Sequence, residues 1–196
     1  MNRVGGRGAS SGLAGSQSVL KNIENKICRD TVETAYLVDT NGNIIFSKSD
    51  NMNSCVSFSY EQLKMFEGNI ITHNHPSGTT FSYEDVSLLT CHKCKEIRAA
   101  TSSGTFSLMV YKNSKNYKEG NLDFAIAYKI SMELNITVTD IEYEKMQRDY
   151  DSGQISREDF QNGCDLLNNQ LSDIRNQWLE ENAHKYGYIY KFQKWR

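Results

Sequence analysis

Two histidines and one aspartate lie within a short polar segment near the middle of the chain. His73 and His75 are expected where a short apolar strand ends. Because residues i and i+2 of a strand project to the same face, both imidazoles can reach one ion. Pro76, the only proline in the sequence, removes a backbone donor and turns the chain away directly after the second histidine. This spacing predicts a pair of metal ligands at the end of a strand.

Asp85, which follows a few residues later in the sequence, is the third candidate ligand. Gly78 allows a tight loop, and Ser82 is placed to cap a helix whose first turn contains Asp85. The loop can therefore return the carboxylate to the two imidazoles. Two histidines and one carboxylate leave a fourth tetrahedral position for water, as in catalytic zinc sites, where that water has a pKa of about 7 and is a usable nucleophile. We therefore expect one Zn²⁺ per chain, held by His73, His75 and Asp85.

Each part of this segment also has a structural explanation. A single His-x-His pattern is often an accident of packing. Ser82-x-x-Asp85 alone is typical of a helix start, where a carboxylate is favourable next to the helix dipole without any metal. The needs of folding do not explain the combination of all these features within one short segment. The sequence therefore favours a metal site.

The same segment, together with an upstream glutamate, resembles the signature of the JAB/MPN (JAMM) zinc metallopeptidases. The matching residues, in chain order, are Glu33, His73, His75, Pro76, Ser82 and Asp85. The run His-Asn-His-Pro-Ser-Gly is most similar to the RadC-type branch, and the resemblance covers roughly residues 30–111. It implies an α+β fold with a curved, mixed but mostly antiparallel sheet flanked by helices. A helical C-terminal extension would follow this JAB/MPN-like part.

The resemblance also implies roles for these residues. Glu33, on the first strand, would take a proton from the zinc-bound water and pass it to the leaving amine, and Ser82 would donate a hydrogen bond to the oxyanion. Glu61 and Glu67, on a short predicted helix, are alternatives for the base. The loop between the second histidine and Asp85 is one residue shorter than the family pattern. This predicts a narrower substrate groove or a tilted serine.

The composition is that of a polar but globular chain. Of 196 residues, 38% are hydrophobic and 23% are charged, and the mean hydropathy is −0.60. The formal net charge of −2 excludes a whole-chain electrostatic footprint for nucleic acid or anionic lipid, although not a local patch. No run approaches the ~18 apolar residues of a membrane span, and the N-terminus lacks the apolar run of a signal peptide. Five cysteines without a dense framework favour a reducing cytosol, and hence a cytoplasmic protein.

Three regions are predicted along the chain. Residues 1–16, rich in glycine and serine, are expected to form a flexible arm. Residues 17–115 would form the JAB/MPN-like metal-binding domain, and residues 116–196 the helical C-terminal extension. The elements expected are a helix capped by Ser18, a hairpin at Asn41-Gly42, a helix capped by Ser59, a strand at 69–73, a helix at 82–95, strands at 97–100 and 106–111, helices at 120–134 and 140–150 with 135–138 undecided, a helix from Ser156 and a strand at 188–192.

Three further patterns have more than one explanation. An apolar seam runs from Phe160 to Trp178, and it predicts either helix packing within the chain or a homodimer through this helix. The basic and aromatic segment 184–196 predicts either a packed strand or a platform that binds nucleic acid. Cys91 and Cys94, expected in the middle of a helix, indicate core packing rather than a metal knuckle.

Two functions follow as hypotheses. The first is a JAMM-type zinc hydrolase that cleaves a peptide or isopeptide amide in a protein or peptide substrate, with Glu33 and Ser82 as catalytic residues. The second is a non-catalytic or metal-stabilised binding or assembly module of phage or mobile-element origin, with an association with nucleic acid as a further alternative. Its basis is a loose resemblance of the glycine-rich arm, the helical extension and the aromatic tail to segments of such proteins.

Overall fold

The computed structural model describes residues 11–52 and 55–195 and has an α+β fold. In chain order the elements are α1 (Ser11–Ile27), β1 (Ala35–Val38), β2 (Ile44–Lys48), α2 (Tyr60–Lys64), β3 (Ile70–Asn74), α3 (Tyr83–Cys91), β4 (Glu96–Ala100), β5 (Gly104–Val110), α4 (Leu122–Asp151), α5 (Arg157–Asn182), a short 3₁₀ helix (Ala183–Tyr186) and β6 (Tyr188–Lys194). The strands form one six-stranded sheet with the order β2-β1-β3-β4-β5-β6. Only β3 and β4 pair in parallel within this sheet. The predicted α+β class with a mostly antiparallel sheet is confirmed.

The two faces of the sheet are covered differently. One face packs on α1 through Leu20, Ile23 and Ile27, and Trp195 packs against the same cluster. The other face carries the larger core, which includes Phe81 before α3 and Phe124 and Tyr128 from α4. Because side chains alternate along a strand, the central strands β1, β3 and β4 contribute to both cores. None of the helices in the described part of the chain is both long and apolar enough to cross a membrane.

Helix α1 begins earlier than predicted. It starts at Ser11 instead of after a cap at Ser18, so the second part of the expected flexible arm is helical, whereas residues 1–10 lie outside the described residues. The backbone of Gly15 packs directly on the Asn41-Gly42 turn, where an added Cβ on Gly42 would lie 3.3 Å from Gly15. This close packing stabilises the first turns of the helix. Composition alone did not predict that these residues are helical.

The predicted hairpin is confirmed, but its turn differs from the two-residue type. Gly42 has a φ of +94°, whereas Asn41 does not adopt a positive φ. The carboxylate of Asp39 instead accepts hydrogen bonds from the backbone N–H groups of Asn41 and Asn43, both at 2.8 Å. An aspartate that bonds the following backbone in this way stabilises a longer turn.

Two helix predictions were wrong in their boundaries. The expected helices at 120–134 and 140–150 are one continuous helix, α4. In the undecided part, Asn135 and Thr137 bond back to carbonyls four residues earlier, so their polar side chains do not interrupt the helix. Helix α3 ends at Cys91 rather than at residue 95, because Lys93 adopts a φ of +51°. The Cys91-Cys94 pair therefore does not lie in the middle of a helix; Cys94 is buried but Cys91 is exposed.

The apolar seam of α5 packs within the chain. Trp178 stacks on Phe124 with ring centroids 6.0 Å apart, and Phe160 lies 5.1 Å from the ring of Tyr150. Both partner rings belong to α4, which favours the intramolecular interpretation of the seam. The C-terminal segment forms β6, an edge strand paired antiparallel with β5. The extension therefore completes the sheet in addition to adding helices.

Candidate metal centre

Strand β3 places the first histidine in the centre of the sheet. His73 pairs with Ala35 of β1 on one side and with Ala99 of β4 on the other, and its side chain is 3% exposed. His75 follows the end of the strand, where its backbone N–H donates to the carbonyl of Ala100 at 2.8 Å. The position of the first imidazole is therefore determined by the sheet, and that of the second by its anchored backbone.

The two imidazole rings face each other with their Nε2 atoms. The Nε2 atoms of His73 and His75 lie 2.8 Å apart. The Nδ1 atom of His75 lies 2.8 Å from the carbonyl oxygen of Thr79, and this contact orients the ring. Metal-binding histidines commonly make this kind of hydrogen bond with the nitrogen that does not bind the ion. The orientation leaves Nε2 of His75 facing His73.

Asp85 reaches both imidazoles. Its Oδ1 lies 3.1 Å from Nε2 of His73, and its Oδ2 lies 3.5 Å from Nε2 of His75. The structure thus brings together the three residues that the sequence predicts as ligands. The metal loop, which we define as residues 75–82, folds back on itself to make this possible.

Ser82 positions Asp85 through a capping box at the start of α3. The Oδ2 atom of Asp85 accepts hydrogen bonds from the backbone N–H of Ser82 at 2.8 Å and from its hydroxyl at 2.9 Å. In return, the backbone N–H of Asp85 donates to the serine Oγ at 3.2 Å. One carboxylate oxygen is therefore held by the helix cap, and Oδ1 is directed at His73. The serine hydroxyl, predicted to face an oxyanion, donates to Asp85 in this conformation.

Glu33 lies beside the histidines but not on a strand. It precedes β1, which begins at Ala35, so its predicted place on the first strand was wrong. Its side chain is nevertheless buried, with 8% exposed, and its carboxylate lies within 4.8 Å of the donor atoms of His73 and His75. The alternative bases lie on the surface, because the side chains of Glu61 and Glu67 are 78% and 66% exposed.

Asn74 holds the segment that carries Glu33, a role that sequence reasoning missed. Its Oδ1 accepts from the backbone N–H of Thr34 at 2.7 Å, and its Nδ2 donates to the carbonyls of Val32 at 3.0 Å and Asp30 at 3.1 Å. These contacts bracket the glutamate on both sides. A buried amide must find such partners, so a polar residue between two buried histidines was the available signal.

Burial and the contacts between neighbouring side chains shift the pKa values of Glu33, Asp85 and His75. Burial raises the pKa of Glu33, and the neighbouring histidines only partly offset this. Burial also acts to raise the pKa of Asp85, but the charges and hydrogen bonds of His73 and His75 outweigh it, and the pKa lies well below its usual value. For His75, burial lowers the pKa, but contacts with Asp85, Thr79 and Glu33 outweigh it and the net pKa is raised.

The C-terminal extension supports the metal loop. The backbone N–H of Thr80 donates to Oγ of Ser172 on α5 at 3.1 Å, and the Thr80 hydroxyl lies 2.8 Å from the hydroxyl of Tyr190 on β6. The hydroxyl of Tyr128 on α4 donates to the carbonyl of Phe81 at 2.7 Å. Three elements of the extension therefore brace the loop that carries the predicted ligands.

A cleft of about 1190 Å³ opens onto this cluster. Its walls include Glu33, the two histidines, Asp85 and Ser82, and also side chains from α5 such as Arg175. The donor types fit a divalent ion that prefers nitrogen and oxygen ligands, because two imidazole nitrogens and a carboxylate oxygen converge from a buried shell. Glu33 is near enough to be a further ligand or a base.

Cys28 and Cys55 line the cleft, whereas Cys91 and Cys94 lie outside it. All five cysteines lie in the described part of the chain and are free thiols. Burial raises the pKa of Cys94 to about 12, which disfavours the thiolate that a metal requires. The Cys91-His-Lys-Cys94 pattern therefore supplies one buried packing residue and one exposed thiol.

Comparisons of the chain with protein-family models, curated proteins and solved structures found no match. The geometry of the cluster is therefore the basis for inferring what the chain does.

Proposed function

We propose that this chain is a zinc-dependent hydrolase of the JAB/JAMM type that cleaves a peptide or isopeptide amide bond. The observation that carries the proposal is the convergence of His73, His75 and Asp85 on one buried point in the wall of a cleft. A second buried carboxylate, Glu33, lies beside this point.

His73, His75 and Asp85 would hold the ion. Bound zinc would act as a Lewis acid and lower the pKa of water to about 7. Glu33 would accept a proton from the attacking water and return it to the leaving amine, for which its position in a buried, anchored segment is suitable. Ser82 would donate to the developing oxyanion, and for this its hydroxyl must turn away from Asp85.

Elemental analysis of the purified protein tests the ligand set. We expect about one zinc per chain in the wild type and in Glu33→Gln, and loss of zinc in His73→Ala, His75→Ala and Asp85→Ala. His184→Ala is the matched control, since this histidine is exposed on the 3₁₀ helix. An Asp85→Ala protein that keeps its zinc while Glu33→Gln loses it would show that the glutamate is the third ligand instead.

Turnover on libraries of peptides and isopeptides tests the reaction. The zinc-loaded wild type should cleave members of one library, and Glu33→Gln should retain zinc but lose cleavage. A zinc-loaded wild type that cleaves nothing would favour the second hypothesis, a metal-stabilised binding or assembly module. One observation favours this second hypothesis. The Ser82 hydroxyl, which is predicted to donate to the oxyanion, donates to Asp85 instead.

A further inference from the structure

Arg175 of α5 lines the same cleft as the predicted zinc ligands. It lies one helical turn from Ser172 and adjacent to Asn176. Ser172 bonds the backbone of the metal loop, and Asn176 accepts a hydrogen bond from Tyr190, which also contacts that loop. The segment of α5 that carries the arginine is therefore anchored to the loop on both sides. The position of Arg175 relative to the metal centre is fixed by these contacts.

The guanidinium has no partner of its own within the described part of the chain. No carboxylate of the described residues lies within 4.0 Å of it, although other arginines form ion pairs there. Its Nε atom is buried and makes no hydrogen bond to the described residues. A buried donor without a partner costs free energy, so such a group in a cleft is suited to a ligand that satisfies it.

The electrostatics connect this cation with the metal centre. Burial raises the pKa of the Tyr128 hydroxyl, and the charges of Arg175 and Asp85 act on that hydroxyl in opposite directions. Arg175 and Asp85 are therefore both within electrostatic range of one buried tyrosine. The other charged side chains lining the cleft outside the predicted centre are Arg29, Asp30, Glu84 and Asp165. None of these three acids pairs with Arg175.

We propose that Arg175 binds a carboxylate of the substrate and selects peptides that carry one close to the cleaved amide. This inference rests on the proposed function. A guanidinium forms paired, charge-assisted hydrogen bonds with a carboxylate, and these are stronger and more directional than those of lysine. The carboxylate can be the C-terminus of a peptide or the side chain of aspartate or glutamate. Both have the same chemistry, and a binding experiment separates them.

Fluorescence anisotropy with labelled hexapeptide pools tests this selection without requiring turnover. The first pool has a free C-terminus and no acidic residue, the second is the same pool amidated, and the third is amidated with one glutamate. We expect zinc-loaded wild type to bind the first or the third pool about tenfold more tightly than the second. Preference for the first identifies a terminal carboxylate, and preference for the third identifies a side chain.

The variants assign the preference to the arginine. Arg175→Gln should remove it, Arg175→Lys should keep part of it, and Arg157→Gln at the exposed start of α5 should leave it unchanged. A preference that survives in Arg175→Gln would come from the metal itself and would overturn the inference. Equal affinity for the three pools, or no measurable binding to any, would overturn it as well.

Zinc content measured on the same samples separates this inference from the proposed function. A wild type with one zinc per chain and no carboxylate preference contradicts only the role of Arg175. A wild type without zinc that still prefers the carboxylate pools contradicts the hydrolase and keeps the arginine as a carboxylate-binding residue.

Discussion

Two clusters of buried charged or titratable groups lie on opposite faces of the sheet, and they differ in whether the chain encloses them or leaves them at the wall of a cleft. The first, which we call the α1 cluster, consists of Glu24, Glu96 and Arg98 with the hydroxyls of Thr72 and Thr105. The second is the candidate metal centre. Their closest members, Thr72 and His73, are adjacent on β3 and point to opposite faces.

The α1 cluster is closed. The guanidinium of Arg98 bonds both oxygens of Glu24, with Nη2 to Oε2 at 3.0 Å, and it also bonds Glu96 at 2.6 Å. Each oxygen of Glu24 accepts one further threonine hydroxyl. Helix α1 covers the group. Every charge in the cluster therefore has a protein partner, which indicates a structural role.

The metal centre is open by comparison. Its imidazole nitrogens face each other, one carboxylate oxygen is held by a helix cap, and the group borders a cleft. Burial is similar in the two clusters, so burial alone does not distinguish a structural cluster from a functional one. The difference is that the α1 cluster is covered by a helix, whereas the imidazoles and carboxylates of the second cluster converge at the wall of a cleft.

The largest effect is expected from breaking the closed cluster. Arg98→Met leaves the carboxylates of Glu24 and Glu96 buried without their cation, which should lower the free energy of unfolding by about 3–5 kcal/mol. Denaturant unfolding measures this. Arg148→Met is the control, because its pairing with Glu144 is exposed and should be worth at most about 1 kcal/mol. A loss below that value for Arg98→Met would show that the α1 cluster is not structurally important.

The next prediction compares two capping boxes that have the same hydrogen-bond pattern. Ser82→Ala and Ser156→Ala should each cost about 1 kcal/mol of stability, since both serines cap a helix and bond an aspartate three residues on. Only Ser82→Ala should also lower kcat, by roughly 10²–10³-fold, if its hydroxyl serves the oxyanion. Steady-state kinetics on a cleaved peptide measures this. Unchanged kcat in Ser82→Ala would reduce the serine to a helix cap.

A smaller effect is expected at Asn74, which bonds the backbone on both sides of Glu33, the proposed base. Asn74→Ala should lower kcat about 10–100-fold, in the range seen when groups that orient metal-site residues are removed. The zinc content and KM should stay near the wild-type values, since the histidines and Asp85 remain. Asn69→Ala is the control, because the side chain of this asparagine donates to the carbonyl of Met65 in an exposed position. Equal losses in kcat and zinc would mean that Asn74 merely supports the fold.

Sequence reasoning succeeded where a short pattern has one physical outcome. The capping boxes at Ser59, Ser82 and Ser156 are confirmed, as are the hairpin and the mostly antiparallel sheet. The meeting of His73, His75 and Asp85 was also foreseen, because strand alternation and one helix cap fix their directions. Whether they bind zinc stays a prediction.

The misses at α1 and at Glu33 come from long-range contacts, unlike the wrong boundaries of α3 and α4, which have local causes. The start of α1 depends on the packing of Gly15 against a turn that follows much later in the chain. The positions of Glu33 and Arg175 depend on Asn74 and on the anchoring of α5 to the metal loop, respectively. No local pattern encodes these contacts, so the support that the extension gives to the loop could only be seen in the fold.

The smallest effect is expected at Thr72, the neighbour of His73 on the closed side. Thr72→Val removes one hydrogen bond to Glu24, whose oxygen keeps Arg98 as a partner, so stability should fall by only about 1 kcal/mol. Thr105→Val, which removes the equivalent bond to the other oxygen, should cost about the same. Zinc affinity, measured by competition with a chelator, should not change in either variant. A tenfold change in Thr72→Val alone would mean that β3 transmits strain between its faces, and that the two clusters are not independent.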